Sequence, residues 1–305
     1  MHNETPLRYY FHDVLSCEMC GDNTSNHKVI GQRLNKSQGF RPKRLAGISV
    51  TVKKCSKCGL HYSSPQPVPF SIQDHYGIPP ENYWREEYFN LSPDYFSNEI
   101  SQLKKFITIH PGMKALDVGA GIGKCMIALN NAGFDTYGFE PSEPFFERAI
   151  SKMGIDKEKL KLGMIEEVDY PENFFNFITF GVVLEHLYHP AQSLEKALNW
   201  LKPGGIIHIE VPSSKHFIAK LINFYYKIIG TNYVTNLSPM HEPFHLYEFD
   251  LKSFQELSKR VGFKILFHDY YICRIDHFPK IIHPVLRKYM KYSNTGMQLA
   301  LWLTK

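Results

Sequence analysis

The hydrophobic pattern of this chain changes character near residue 111. Beyond it, short apolar runs alternate with amphipathic stretches, as in strands buried on both faces and joined by helices. Strands are predicted at 114–118, 135–140, 161–164, 174–183, 206–211, 263–272 and 297–304. Helices are predicted at 124–132, after Ser142 and Pro144, at 191–201 and at 250–261. Lys202-Pro-Gly-Gly205 reads as a sharp stop between helix and strand. The βαβα alternation predicts an α/β fold with a Rossmann-like, doubly wound sheet of seven strands. Before residue 111 the rhythm differs. Residues 48–52 alternate and are β-branched, as a half-buried strand should be. Residues 65–69 are proline-rich and stiff, 70–90 are rich in aromatics (Tyr76, Tyr83, Trp84, Tyr88), and 93–108 reads as a helix.

Cysteines change the picture of the N-terminal part. Cys17-x-x-Cys20 and Cys55-x-x-Cys58 are two knuckles, each followed by glycine. In a chain that reads as intracellular, paired knuckles point to a tetrahedral four-thiolate zinc site. Cys125 and Cys273 stand alone and read as small buried side chains. The expected organisation is a zinc-ribbon module at 1–68, an aromatic linker and helix at 69–110, and the α/β domain at 111–305. The start of the chain is polar and no run is long enough to span a membrane, so a soluble, cytoplasmic protein is expected. The net charge of +5 is mild, but no carboxylate occurs between Asp22 and Asp74. Lys28, Arg33, Lys36, Arg41, Lys43, Arg44, Lys53, Lys54 and Lys57 fall in that interval. They form either a solvated basic surface or a patch that meets a phosphate.

The most informative stretch is Ala115-Leu-Asp-Val-Gly-Ala-Gly-Ile-Gly-Lys124. A strand runs into glycines spaced two apart and then into a helix, which brings backbone N–H groups against a nucleotide-like ligand. A dinucleotide fingerprint needs its third glycine at Lys124; here it falls one residue early, at Gly123. The stretch resembles the first motif of class I S-adenosylmethionine (SAM) methyltransferases. Glu140 at the end of the second strand, Val183-Leu-Glu-His-Leu187 after the fourth and Leu201-Lys-Pro-Gly-Gly205 before the fifth match further motifs in order. The resemblance covers about 111–305 and implies that the last strand is antiparallel. It also implies SAM as cosubstrate, bound by Asp117, Gly119, Ala120, Gly121, Gly123, Glu140 and Pro141. Gly119 and Gly121 let the backbone approach the ligand, the helix N-terminus favours the methionine carboxylate, and Glu140 suits two ribose hydroxyls. The adenine side departs from the family: Met164 stands where an acid is common, leaving Met164, Ile165 and Glu166 as candidates. Asn176 replaces a common strand-four aspartate.

A zinc ribbon ahead of such a domain is similar to bacterial sugar methyltransferases acting on nucleotide-linked sugars and polysaccharide precursors. The C-methylating members carry a further C-terminal domain and this chain stops at its seventh strand, so O- or N-methylation is favoured. A hydroxyl acceptor needs a base, and His186 after strand four is placed for it. Met240-His-Glu-Pro-Phe-His-Leu-Tyr247 is the other acceptor-side candidate, through His241, Glu242 and His245. Pro243 argues against a regular metal-binding helix there. The amphipathic stretch 214–230 reads as a lid over the acceptor; 277–292 is basic and amphipathic and could rest on an anionic membrane surface. Together these features give a small, phosphate-bearing acceptor as the first reading. An RNA acceptor met by the basic module is the second, and a non-catalytic SAM-binding scaffold the third. No Asn-Pro-Pro-Tyr motif follows strand four, which weighs against base methylation of RNA.

Overall fold

The computed structural model describes residues 9–36, 47–71, 73, 85–272, 275 and 278–305. The expectations for Arg41, Lys43, Arg44, Tyr76, Tyr83, Trp84 and Cys273 fall outside these residues. The N-terminal part holds β1 (Tyr9–His12), β2 (Lys28–Leu34), β3 (Ser49–Lys54), β4 (His61–Ser63) and β5 (Gln66–Pro69). Helix α1 (Ser97–Leu103) leads to β6 (Lys114–Val118), α2 (Lys124–Asn131), β7 (Asp135–Glu140), α3 (Glu143–Ser151) and β8 (Leu160–Leu162). There follow β9 (Phe175–Gly181), α4 (Pro190–Trp200), β10 (Leu201–Pro212) and α5 (Phe217–Ile228). The chain closes with β11 (Tyr247–Glu248), α6 (Leu251–Val261), β12 (Lys264–Tyr271), α7 (His283–Tyr292) and β13 (Gln298–Thr304).

Seven strands form the main sheet in the order β12-β13-β10-β9-β6-β7-β8. β8, β7, β6, β9 and β10 run parallel, and β13 inserts antiparallel between β10 and β12. The doubly wound sheet with an antiparallel last strand is thus present. The path leaves β6 toward β7 and β8, then returns to pair β9 on the other side. That reversal opens a crevice beyond the carboxyl ends of β6, β7 and β9, where ligands bind in such sheets. Strands β9 and β13 are mostly buried, as is the middle of β10, with Phe175, Phe177, Ile178, Phe180, Ile207, Ile209 and Trp302 in the core. His208 is the polar exception in β10. It pairs through Nδ1 with Thr179 Oγ1 at 2.9 Å, and burial pushes its imidazole down to about 3, so it is neutral.

Three elements differ from the sequence pattern. α1 is shorter than 93–108, because Phe106, Ile107 and Ile109 fold back onto the core beneath Trp302. The Lys202-Pro-Gly-Gly205 stop lies inside β10, which already pairs with β9 at Leu201 and absorbs the glycines as an irregularity before Ile206. α5 contributes nothing to the lining of the main cavity described below and packs instead against α7, through Ile218, Met290 and the rings of Phe217 and Tyr289.

The N-terminal part is joined to the main sheet by shared burial. β2, β3 and β4 form an antiparallel sheet that takes β11 as its fourth strand, with Tyr247 opposite Tyr62. The four knuckle cysteines lie in one apolar core with Leu60, Tyr62, Phe249, Phe254, Phe180 and Ile209. β1 and β5 pair separately as a two-stranded ribbon. Phe249 is fully buried between the rings of Tyr247 and Phe254, at 6.0 and 5.4 Å. Phe249→Ala is expected to lower unfolding stability by about 3–5 kcal/mol. Denaturation followed by circular dichroism and by tryptophan fluorescence should show one shared transition; two separate midpoints would show that the parts unfold independently.

Candidate functional site

β6 ends at Val118 and the chain turns through Gly119, Gly121 and Gly123, all in the left-handed region at φ 68°, 55° and 82°. Glycine adopts that region at least cost. A Cβ on Gly119 would stand 2.8 Å from Val183, and one on Gly123 2.5 Å from Ile155. At Gly121 a Cβ would meet nothing within 4 Å, so this glycine leaves open space at the cavity. The turn is tied down by Ala120 N–H to the Phe139 carbonyl at 2.9 Å and Gly123 N–H to the Ala120 carbonyl at 2.8 Å.

Glu140 braces this turn from β7. Its Oε2 accepts from Gly121 N–H at 2.8 Å and its Oε1 from Ser142 N–H at 2.9 Å. Each carboxylate oxygen keeps a further lone pair for a ligand hydroxyl. Burial pushes Glu140 up to about 7, against the lowering effect of the two N–H groups. Burial likewise raises Asp117 to about 7, with the Glu140 charge adding to it.

Two cavities meet at this turn. The larger, ≈ 1100 Å³, is lined at one end by Gly119, Gly121, Glu140, Pro141, Met164, Ile165 and Glu166. His186, Glu242 and Phe244 also line it, as do Tyr10, His12, Gln66 and Phe70 of the β1–β5 ribbon and its exit. The smaller, ≈ 260 Å³, holds Asp117, Ala120, Lys124, Glu210 and Tyr95. Gly119, Gly121 and Tyr88 border both. At Met164, expected on the adenine side, the N–H donates to Glu167 Oε2 at 3.0 Å. Asn176 lies at the opposite end of the sheet, where its Oδ1 accepts from Lys114 N–H at 3.0 Å.

The acceptor-side candidates separate into two groups. Glu185, His186 and His245 come together: His186 Nε2 stands 3.9 Å and His245 Nε2 3.7 Å from Glu185 Oε1, and the two imidazoles meet edge-on at 5.0 Å. Burial raises Glu185 to about 8 and lowers His245 to about 4. His241 lies apart, its Nε2 accepting from Arg33 Nη2 at 3.0 Å. Arg33, counted in the basic surface by sequence, is buried and also donates to the Val234 carbonyl. Glu242 reaches the cavity. Glu185 and the β1–β5 ribbon escaped sequence reasoning. Glu185 is visible in the sequence only as part of a motif, and the two strands of the ribbon lie far apart along the chain, β1 over a hundred residues before the turn it faces.

Cys17, Cys20, Cys55 and Cys58 are buried, with their sulfur atoms all within 4.8 Å of one another. The pairs Cys17–Cys58 and Cys20–Cys55 stand at 3.5 Å, so none is a disulfide. A tetrahedral ion at ~2.3 Å from each sulfur needs edges of about 3.8 Å, which this set fits. Gly21 and Gly59 close the knuckles at φ 71° and 82°. His27 donates from Nε2 to Asp22 and accepts from the Tyr62 hydroxyl behind them, at 3.2 and 2.7 Å.

The fold and the turn define a methyltransferase-type α/β domain. A family model described as a methyltransferase domain matches residues 94–268, more than half of the chain, and the chain belongs to that family. It is 32% identical over 110 residues to a demethylmenaquinone methyltransferase of Staphylococcus aureus, covering 35% of this chain and 46% of the relative. It is 30% identical over 132 residues to a ubiquinone biosynthesis O-methyltransferase of Coxiella burnetii, covering 42% and 53%. The chain thus spans about half the length of these curated relatives. Among solved structures, a SAM-dependent methyltransferase from Mesorhizobium loti aligns with TM-score 0.47 and 14% identity, covering 67% of this chain and 96% of that one. A complex of the Haloferax volcanii Trm112 methyltransferase activator with a methyltransferase aligns with TM-score 0.49 and 14% identity, covering 73% and 96%.

Glu140 and Asp117 give the unliganded protein a defined pH response. Both folded values, about 7, lie above the ordinary 4.5 and 3.8, so their contribution to stability is full below pH ~4 and is lost as pH rises through 7. Tm of the unliganded protein should fall across that window, and Glu140→Gln should flatten the fall. An unchanged slope in the variant removes Glu140 as its source.

Proposed function

We propose that this chain transfers the methyl group of SAM to an oxygen of a small acceptor, a sugar unit of a nucleotide-linked or glycan precursor. The observation that carries this reading is that one cavity joins the Gly119–Glu140 turn to His186 of the Glu185–His186–His245 cluster. Asp117 then meets the methionine ammonium, Gly121 the amino-acid end, Glu140 the ribose hydroxyls, and Pro141, Met164, Ile165 and Glu166 the adenine side. The acceptor lies beyond, between the cluster and the ribbon. Its oxygen lone pair forms the O–CH3 bond as the C–S bond breaks; the C–S pair stays on sulfur and leaves a neutral thioether. The hydroxyl proton leaves on the cluster side. Alignment does most of the work, since the sulfonium already activates the methyl.

The cavity walls favour a sugar ring. Tyr10, Phe70, Tyr188 and Phe244 offer apolar faces, and Glu242, His12 and His186 offer hydroxyl partners. No Lys or Arg lines it among the described residues, so a phosphate group of the acceptor lies outside it. The N-terminal four-cysteine cluster holds a structural zinc, which fixes the knuckles beneath α6. His241, through Arg33, positions the 240–246 loop and does not take the proton.

Glu140→Gln should weaken SAM binding by about 10–100-fold by calorimetry, the loss of a charged hydrogen-bond acceptor. His186→Ala should lower kcat by roughly 10²–10⁴ with SAM affinity unchanged. SAM consumption measured on nucleotide-sugars, phenolic quinone precursors and total RNA decides the acceptor; turnover on RNA alone would reverse the reading. For zinc, metal analysis of the pure protein should find about one equivalent per chain, lost in Cys55→Ser with a lowered Tm. A zinc-free protein of unchanged Tm rejects that site.

A further inference from the structure

Glu185 poses a problem that methyl transfer does not solve. Its carboxylate is fully buried, and neither oxygen is hydrogen-bonded to another described residue. A buried carboxylate without partners costs several kcal/mol, so such groups are usually paired or bound to a cation. Two imidazole nitrogens already face it, at 3.7 and 3.9 Å, and one ligand atom from each of the three residues fits within a 4.8 Å span.

The imidazole of His186 is set for coordination. Its Nδ1–H donates to the Phe244 carbonyl at 3.3 Å, and its Nε2 faces Glu185 Oε1 at 3.9 Å. Ligating histidines are held in this way, with the other ring nitrogen donating to a carbonyl. The two segments that carry the cluster are tied together, since Leu246 N–H donates to the Glu185 carbonyl at 2.9 Å. His186 lines the main cavity, so an ion held here opens onto the acceptor.

We propose that Glu185, His186 and His245 form a second metal site, distinct from the cysteine cluster, for a divalent cation of the kind that imidazole and carboxylate bind, such as Mn2+. Cation binding rests on the cluster alone. Its use in turnover rests on the acceptor reading above: the ion holds the acceptor oxygen and lowers its pKa, so the hydroxyl proton leaves to water while the imidazoles stay as ligands.

The test uses the full chain, zinc-loaded at the cysteines and freed of other metals, titrated with Mn2+ and followed by electron paramagnetic resonance. One Mn2+ per chain is expected, with affinity falling at least ~10-fold in both Glu185→Gln and His245→Ala. SAM calorimetry on each variant reports that it is folded. SAM-binding wild-type protein that takes up no Mn2+, or variants that bind it as the wild type does, overturns the site. Mn2+ binding with no methyl transfer to any hydroxyl acceptor leaves the site standing and sinks the acceptor reading instead.

Discussion

Two carboxylates buried at the carboxyl end of the sheet hold the site's geometry in place. Glu140 reaches from β7 to the N–H of Gly121 and so fixes the turn that follows β6. That bond joins the ends of the neighbouring strands β6 and β7 beside the crevice where the strand order reverses, and it holds the glycine turn in place. The cost of burying Glu140 beside Asp117 is visible in their raised pKa values. A cationic ligand with hydroxyls relieves both, because it pairs one charge and uses the free lone pairs of the other. The site thus suits a ligand with the charge distribution of SAM.

A second constraint comes from the N-terminal part. Its cysteine cluster, its sheet and the 240–246 loop share one core and one set of polar ties with the catalytic sheet. Arg33 is buried to hold His241 and the Val234 carbonyl, and Asp250, which caps α6 through Lys252 N–H, lies against Gly59 of the second knuckle. The ribbon of β1 and β5 then forms a wall of the cavity. The N-terminal part therefore shapes the cavity directly, in addition to any surface it presents. Its exposed lysines lie outside the cavity lining.

By itself the sequence determined the local elements and the ligand turn. Period-two and continuous apolar runs gave the strands, and glycine spacing marked residues 119–123, because backbone conformation there is dictated by residue type. Paired C-x-x-C knuckles likewise announced a cluster that needs only local chain reversals and one meeting of two loops. The limits were places where distant packing overrode local signals. Trp302 drew Phe106 out of a helix, and strand pairing at Leu201 ran through a Pro-Gly-Gly stop. Only the tertiary structure decided which histidines meet. His241 and His245 are four residues apart and look equivalent, yet one is drawn to Arg33 in β2 and the other to Glu185 after β9. That division is set by burial and by partners more than fifty residues away, which no local pattern encodes.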